Sequence, residues 1–388
     1  MLSFVLSIRF FRKNSYFCVQ KVSKMNSMLS DKSQILKISL FFALLLSFGA
    51  LQAQEHHPTE NSHEEEKLNA GELIMDHIGD AYEWHIASVG DTHISIPLPV
   101  ILYSEHSGFH VFMSTKFHHG HSSYKNFKIA EKGSEFEKKI VEEVNGEIIR
   151  PYDFSITKNA LALFVSVTLL IWMFTSVAKS YKTRRNQAPK GLQSFLEPLI
   201  IFIRDDIAKS SIGRNYEKFM PFLLTLFFFI FFNNILGLVP IFPGGANLTG
   251  NITITLVLAV FTFVITSING NKNYWKHIIN TPGVPWWLKV PIPLMPIIEI
   301  LSMFTKPFVL MIRLFANITA GHIVALGFFS LIFVFGEMAT VAGYGVSVLT
   351  IVFTVFLTFL EFLVALIQAY VFTLLSALYF GMATEEEH

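Results

Sequence analysis

The chain has 388 residues, of which 52% are hydrophobic and only 15% charged, and phenylalanine alone contributes 40. Apolar runs of about 20 residues recur, which is the composition of a protein that crosses a membrane several times. The formal net charge of +1 gives no sign of a nucleic-acid partner. The single cysteine, Cys18, excludes an internal disulfide and a cysteine metal site.

Residues 1–53 have the pattern of a removable export signal. Basic residues precede the short apolar run Ile38–Phe48, and small residues ending at Ala53 follow it. This order is typical of a secretory signal peptide, and the run is too short to span a bilayer comfortably. The first 24 residues fit the pattern poorly, so Met25 or Met28 is a candidate start. We therefore expect the mature N-terminus outside the cytoplasm.

Residues 54–152 form a polar region that holds eleven of the fourteen histidines. Thr92–Tyr103 contains short strand-like pieces, and Asn145-Gly146 predicts a hairpin turn between alternating strands. We expect a small extracytoplasmic N-terminal domain of partial β character. A histidine-rich stretch could bind zinc, but no HxxxH pair lies on a predicted helix. A solvated surface is the simpler interpretation, so no metal site is predicted.

Residues 153–388 are predicted to be the membrane domain. Asn159–Ala178 lacks charged residues and is the first predicted transmembrane helix. The basic cluster that follows it predicts a cytoplasmic end, because cytoplasmic loops are enriched in lysine and arginine. Leu192–Lys209 mixes apolar and charged residues, which predicts an amphipathic helix on the cytoplasmic surface.

Two further spans are predicted at Met220–Val239 and Asn251–Ile268. The loop between them has no lysine or arginine, as expected of an outer loop. The next loop, Asn269–Pro291, carries three lysines and three tryptophans, which indicates the cytoplasmic interface.

Two apolar stretches near the C-terminus are too long for upright spans. Leu294–Phe335 would be roughly 63 Å long as a helix, about twice the thickness of a bilayer, and Val346–Gly381 is also overlong. Each stretch is either two upright helices or one steeply tilted helix. Few prolines or glycines interrupt them, which favours a hairpin of two long tilted helices. The fold class is therefore an all-α polytopic membrane protein with about five transmembrane helices.

Arg313 is the most informative residue in this hairpin, because its surroundings are almost entirely apolar. Placing a charge at that depth in the membrane costs roughly 2.5 kcal/mol or more in free energy. A guanidinium cannot avoid this cost by losing its proton, because it stays protonated in proteins. It must face water, a carboxylate or a partner helix. Ionisable groups within a membrane usually mark an ion pathway, and the alternative is a structural ion pair between helices.

Other polar residues share the hairpin with Arg313. Glu299 and Asn317 lie on its helical face, and Glu361 and Gln368, seven residues apart, share a face of the second helix. If Gln368 is level with Arg313, then Glu361 and His322 lie at similar depth. Measured along the helix axes from the level of Arg313, they are roughly 10 and 13 Å away on its outer side. Alternatives remain for four residues: His322 as an ordinary buried histidine, Glu299 and Lys306 as a surface ion pair, and Gln368 as a helix–helix hydrogen bond.

Two strings carry a family resemblance: SMFTKPFVLMIRLFANITAGH at Ser302–His322 and LIQAYVF at Leu366–Phe372. With them, the chain from about Leu192 to its end resembles the ATP synthase subunit a family, the stator proton channel of the rotary F-type enzyme. The resemblance implies that Arg313 faces the rotor ring, with Asn317 and Gln368 as its polar neighbours. It implies that His322 and Glu361 line the proton path from the outside, and that Glu299 marks the path to the cytoplasm. Many bacterial members have these glutamate and histidine positions exchanged, which preserves the carboxylate–imidazole couple.

The same resemblance implies a non-catalytic, proton-translocating subunit in a bacterial inner membrane, without cofactor or metal. Its partners would be a ring of rotor c subunits, the peripheral-stalk subunit b, the rest of the F-type synthase and the lipid bilayer. ATP chemistry would belong to other subunits, because the chain has no Gly-x-x-x-x-Gly-Lys phosphate loop. The alternatives are a secondary transporter or ion channel with an intramembrane Arg/Glu/His site, and a histidine-rich metal-binding membrane protein. Transporters usually show two similar halves, and this sequence shows none.

Overall fold

A computed structural model of the chain describes residues 71, 74 and 78–385, except for 90–91, 121, 131–132, 145, 184–187, 240–241, 243, 280–293 and 339. The predicted signal peptide at 1–53 and most of the histidine-rich N-terminal stretch before residue 78 lie outside the described residues. The described residues form a small β-rich unit followed by a helical membrane unit.

The β-rich unit contains three small antiparallel sheets. β1 pairs with β2, β3 lies between β4 and β8, and β6 lies between β5 and β7. The predicted hairpin is confirmed, since Val144 of β6 pairs with Glu147 of β7 across the two-residue turn. The strands are β1 Glu83–Val89, β2 Thr92–Pro97, β3 Pro99–Ser104, β4 Gly108–Met113, β5 Phe127–Ile129, β6 Ile140–Val144, β7 Glu147–Ile149 and β8 Tyr152–Asp153.

A compact apolar core holds this unit together. Val100 and Leu102 alternate inward on β3 and are fully buried, together with Phe117, Phe127 and Ile140. Alternation with a period of two is what places one side of a strand in a core. The β character expected for this region is therefore present.

Helices make up the rest of the described chain. Four helical stretches are long and apolar enough to cross a membrane, or five spans if the helices Ile252–Ile268 and Lys272–Ile279, bent by 103° at their junction, count as one. This agrees with the predicted class of polytopic helical protein. The helices are α1 Lys158–Thr183, α2 Leu192–Phe202, α3 Tyr216–Leu238, α4 Ile252–Ile268, α5 Lys272–Ile279, α6 Leu294–Met338 and α7 Thr340–Thr384.

The predicted surface helix at 192–209 is more deeply embedded than its charge pattern indicates. α2 continues into a π-helical segment, Ile203–Lys209, and then through short turns into α3. Leu196, Ile203 and Ile207 are fully buried in the core of the membrane unit, whereas Arg204 lies outside. The amphipathic pattern is thus real, but its apolar face packs on other helices of the same chain.

α6 and α7 are each 45 residues long, about 67 Å at 1.5 Å per residue. They pack antiparallel, because the Phe328 ring stacks on Phe353 and the Lys306 ammonium lies over the Tyr379 ring. Neither helix breaks near Arg313, which is the arrangement favoured above over four upright helices. Near the C-terminal end of α7, Asn271 donates to the carbonyls of Ala383 and Thr384, which satisfies acceptors that a helix end leaves unpaired.

Candidate functional site

One cavity of about 250 Å³ lies between α3, α6 and α7. It brings together three of the residues singled out in the sequence, namely Asn317, His322 and Glu361, and adds Asn234 of α3. The pairing of the long helices explains the juxtaposition, since Gly321 lies directly against Glu361. Carboxylate, imidazole and amide groups thus converge in surroundings that are otherwise mostly apolar.

The carboxylate of Glu361 has an unusual environment. The residue is half-buried, and its buried oxygen Oε1 has no hydrogen-bond partner among the described residues. Buried polar atoms are normally paired, and an exception calls for a functional or solvent explanation. A carboxylate with spare acceptor capacity is able to take up a proton or a water molecule.

His322 contributes the imidazole of the cavity and approaches α3. Its Nε2 lies 3.7 Å from the place where a Cβ would stand on Gly237. Gly237 therefore gives the imidazole room beside α3. Of the alternatives for His322, an ordinary core residue and a member of a polar site, its position in the cavity favours the second.

Asn234 is the member of the site that sequence reasoning missed. It is 3% exposed, its Oδ1 accepts a hydrogen bond of 2.5 Å from the Thr249 hydroxyl, and its Nδ2 donates to the Ala365 carbonyl at 3.5 Å. The available signal was the pair Asn233-Asn234 within an otherwise apolar span. A buried amide in such a span marks a helix–helix contact or a polar site.

Arg313 lies apart from this cavity on the same long helix. Its side chain is exposed at the surface of the chain, as is Asn317, and it makes no ion pair with another residue in the described ranges. A structural ion pair with any described residue therefore does not account for it. Gln368 on α7, by contrast, is 5% exposed. The antiparallel pairing that sets Gly321 against Glu361 makes Gln368 level with Arg313.

A second set of polar groups lies toward the beginning of α6. Lys306 and Tyr379 line a small cavity with Tyr274 of α5, and Glu299 is within electrostatic range of Tyr274. The structure shows no ion pair between Glu299 and Lys306, both of which lie in the described part. The surface-pair interpretation of these two residues is therefore not supported. Glu299 lies fourteen residues before Arg313, on the opposite side from the first cavity.

The histidine-rich region is where the sequence left metal binding as an alternative. Within the described residues, no group of three or more His, Cys, Asp or Glu side chains is arranged to hold a metal ion. Five of the eleven histidines of that region, residues 56, 57, 63, 77 and 121, lie outside the described residues.

Fold and site together define a polytopic membrane protein with an arginine, a carboxylate and an imidazole within its long apolar helices. A sequence model described as ATP synthase A chain matches residues 160–381, more than half of the chain, so the chain belongs to that family. Residues 73–154, which include the β-rich unit, match a different family described only as a domain of unknown function.

Individual relatives agree with this assignment. A protein named ATP synthase subunit a 2 from Chlorobaculum tepidum is 47% identical over 240 residues, which cover 60% of this chain and 64% of the relative. ATP synthase subunit a from Chloroherpeton thalassium is 43% identical over 243 residues, covering 61% and 68%. The corresponding protein of Myxococcus xanthus is 42% identical over 254 residues, covering 64% and 78%. The chain thus spans somewhat less than two thirds of the Chlorobaculum tepidum relative.

Proposed function

We propose that the chain is the proton-conducting stator subunit of an F-type ATP synthase. The observation that carries the proposal is the cavity in which Glu361, His322 and Asn234 converge, beside a separate, outward-facing arginine on the same helical hairpin. Family membership supports it, because the relatives are named as subunits a of ATP synthase. ATP chemistry then belongs to other subunits of the complex.

The cavity between α3, α6 and α7 would serve as the outer half-channel. A proton entering it meets the free oxygen of Glu361 and the imidazole of His322. Carboxylate and imidazole groups exchange protons with water and with each other, which suits a relay. Asn234 and Asn317 would hold water or the relay groups in position by hydrogen bonding.

Arg313 would act on a partner rather than within the chain. Its guanidinium is exposed and lacks an acidic partner among the described residues, so it is available to a carboxylate on a rotating ring of c subunits. A permanent positive charge favours the ionised form of that carboxylate and prevents a proton from passing straight across. Gln368 and Asn317 would be the polar neighbours of this encounter.

Proton release toward the cytoplasm would pass along the second set of polar groups, near the beginning of α6. After nearly a full rotation, the ring carboxylate would meet the side of the hairpin that carries Glu299, and its proton would leave there. Lys306, Tyr274 and Tyr379 surround this end of α6. A proton-motive force of about 150 mV supplies roughly 3.5 kcal/mol for each proton that follows the route.

The basic residues support an orientation in a bacterial inner membrane. The cluster after α1 and the lysines after α4 would face the cytoplasm, and the β-rich unit would then be periplasmic and the C-terminus cytoplasmic. The ring of c subunits, the peripheral-stalk subunit b and the surrounding bilayer would then cover the apolar helix faces that this chain leaves exposed.

Arg313→Ala tests the proposal in the assembled complex. ATP-driven proton pumping in inverted membrane vesicles should be abolished, while insertion and copurification with the other subunits persist. Arg214→Ala, which removes an exposed arginine far from the cavity, serves as the matched control and should pump normally. Normal pumping by the Arg313→Ala complex would reject the assignment.

A further inference from the structure

The β-rich unit packs against a loop of the membrane unit through the buried side chain of Trp84. Trp84 of β1 is 3% exposed and forms an apolar cluster with Ala246, Leu248 and Ala162. Its indole also meets the Phe242 ring edge-on, with the centroids 5.2 Å apart. Ala246, Leu248 and Phe242 all belong to the α3–α4 loop, residues 239–251.

The β-rich unit is also fixed to the first membrane helix. The Asp80 carboxylate accepts a hydrogen bond of 3.0 Å from the backbone N–H of Asn159, and the N–H of Lys158 donates to the Ala81 carbonyl at 2.8 Å. A carboxylate at a helix N-terminus satisfies unpaired N–H groups and interacts favourably with the helix dipole. The unit is therefore held at two points, and Trp84 cannot easily turn away from the loop.

The far side of the α3–α4 loop reaches the cavity. Thr249, which is 1% exposed, donates its hydroxyl proton to Asn234, and the Ala246 carbonyl lies 3.6 Å from the Cβ position of Gly237, next to His322. Contacts therefore run without a gap from Trp84 through the loop to side chains that line the cavity.

We propose that the β-rich unit positions the entrance of the outer half-channel. Trp84 anchors the α3–α4 loop, the loop holds the Thr249 hydroxyl against Asn234, and Asn234 is thereby oriented toward Glu361 and His322. This inference rests on the proposed proton-channel function. It assigns a role to the β-rich unit, which matches a family described only as a domain of unknown function.

A loop of this kind needs such an anchor. The described residues of the loop form no regular helix or strand, and loops without one are usually mobile. Its single hydroxyl–amide bond to Asn234 is useful only while the loop stays in place. An aromatic ring buried against it restricts that motion without adding a charge near the proton path.

Trp84→Ala in the complete synthase tests the role. The maximal rate of ATP-driven proton pumping should fall roughly 3- to 10-fold, while the KM for ATP stays unchanged because the nucleotide sites lie on other subunits. Trp84→Phe keeps an aromatic ring in the cluster and should restore most of the rate. Phe109→Ala, which removes a 65% exposed aromatic ring from the same unit, is the control and should have no effect.

Phe242→Ala tests the same contact by removing the ring on the loop side. Phe242 is 44% exposed, so its removal should leave assembly intact even if Trp84→Ala disturbs folding. Thr249→Val should slow pumping to a similar degree. The double variant Trp84→Ala/Thr249→Val should be no slower than the slower single variant, because both changes interrupt one chain of contacts.

Three results distinguish a failure of the positioning role from a failure of the proposed channel function. If Arg313→Ala is inactive while Trp84→Ala and Phe242→Ala pump at the normal rate, the positioning role is wrong and the channel assignment stands. Fully additive losses in the double variant would also reject the positioning role. If Arg313→Ala pumps normally, the channel assignment itself fails.

Discussion

Gly321→Ala is the sharpest single test of the cavity, because one added methyl group would contact the proposed relay directly. A Cβ on residue 321 would lie 2.7 Å from Oε1 of Glu361 and 3.4 Å from its Cγ and Cδ. Ordinary contact begins near 3.4 Å, so the carboxylate oxygen must move by about 0.7 Å. The oxygen is the far end of a flexible side chain, so the backbone can stay in place.

Gly321→Ala should affect the stability of the complex and its proton flux in opposite directions. Alanine is favoured over glycine inside a helix by about 0.5–1 kcal/mol, so the assembled complex should be as stable as before or slightly more so. Displacing a reactive group by close to 1 Å can slow a reaction by about 100-fold, and we expect proton flux to fall about 10-fold or more.

Gly327→Ala provides the matched control. It lies on the same helix, and an added Cβ there would meet nothing within 4 Å. Proton flux is measured by ATP-driven quenching of a pH-sensitive dye in inverted vesicles, and stability by the thermal dissociation of the purified complex. Normal flux in Gly321→Ala would refute the role of the Glu361 carboxylate. Combining Gly321→Ala with Glu361→Asp, which is shorter by one methylene, should recover part of the loss.

Three further predictions concern the relay, the orientation and the β-rich unit. Glu361→Gln should slow proton entry more than His322→Gln, and the double variant should match the slower single one; additive losses in flux would indicate separate routes. Ala342 lies in the first turn of α7, next to the connection between α6 and α7. A cysteine at this position should react with a membrane-impermeant thiol reagent added outside intact cells, and labelling only after lysis would contradict the proposed orientation. Lys128 donates a hydrogen bond to Glu143 and lowers the pKa of that carboxyl, so the pair stabilises the unit above the usual glutamate pKa. This contribution to stability is lost as pH falls through the lowered pKa of the folded state. In a plot of melting temperature against pH, Glu143→Gln should therefore reduce the decrease at acidic pH.

Much of the site was predictable because its members are chemically conspicuous. Arg313 and Glu361 are charged groups within apolar stretches, and the helical period alone places Arg313 and His322 about half a turn apart. In the structure His322 lines the cavity and Arg313 does not. The common depth of Glu361 and His322 also follows from pairing two uninterrupted helices in antiparallel fashion.

Asn234 and Thr249 could not be predicted in the same way. Asn233 and Asn234 are adjacent and chemically identical, and only the packing of α3 against α7 selects the second for the cavity. Thr249 lies in an irregular loop between α3 and α4, and the path of such a loop does not follow from local periodicity. The π-helical segment Ile203–Lys209 after α2 also has no evident signature in the amino-acid sequence.

The outward position of Arg313 has a consequence for the life of the protein before assembly. Under the proposed function, the guanidinium of a newly inserted copy would border on lipid, at a cost of at least about 2.5 kcal/mol. Covering it with a partner carboxylate would remove that cost, which corresponds to roughly a 70-fold preference for the assembled state. The charge proposed to act in transport would therefore also distinguish an orphan copy from a finished one. In cells that lack the rotor ring, we expect the chain to be turned over faster than its Arg313→Leu variant.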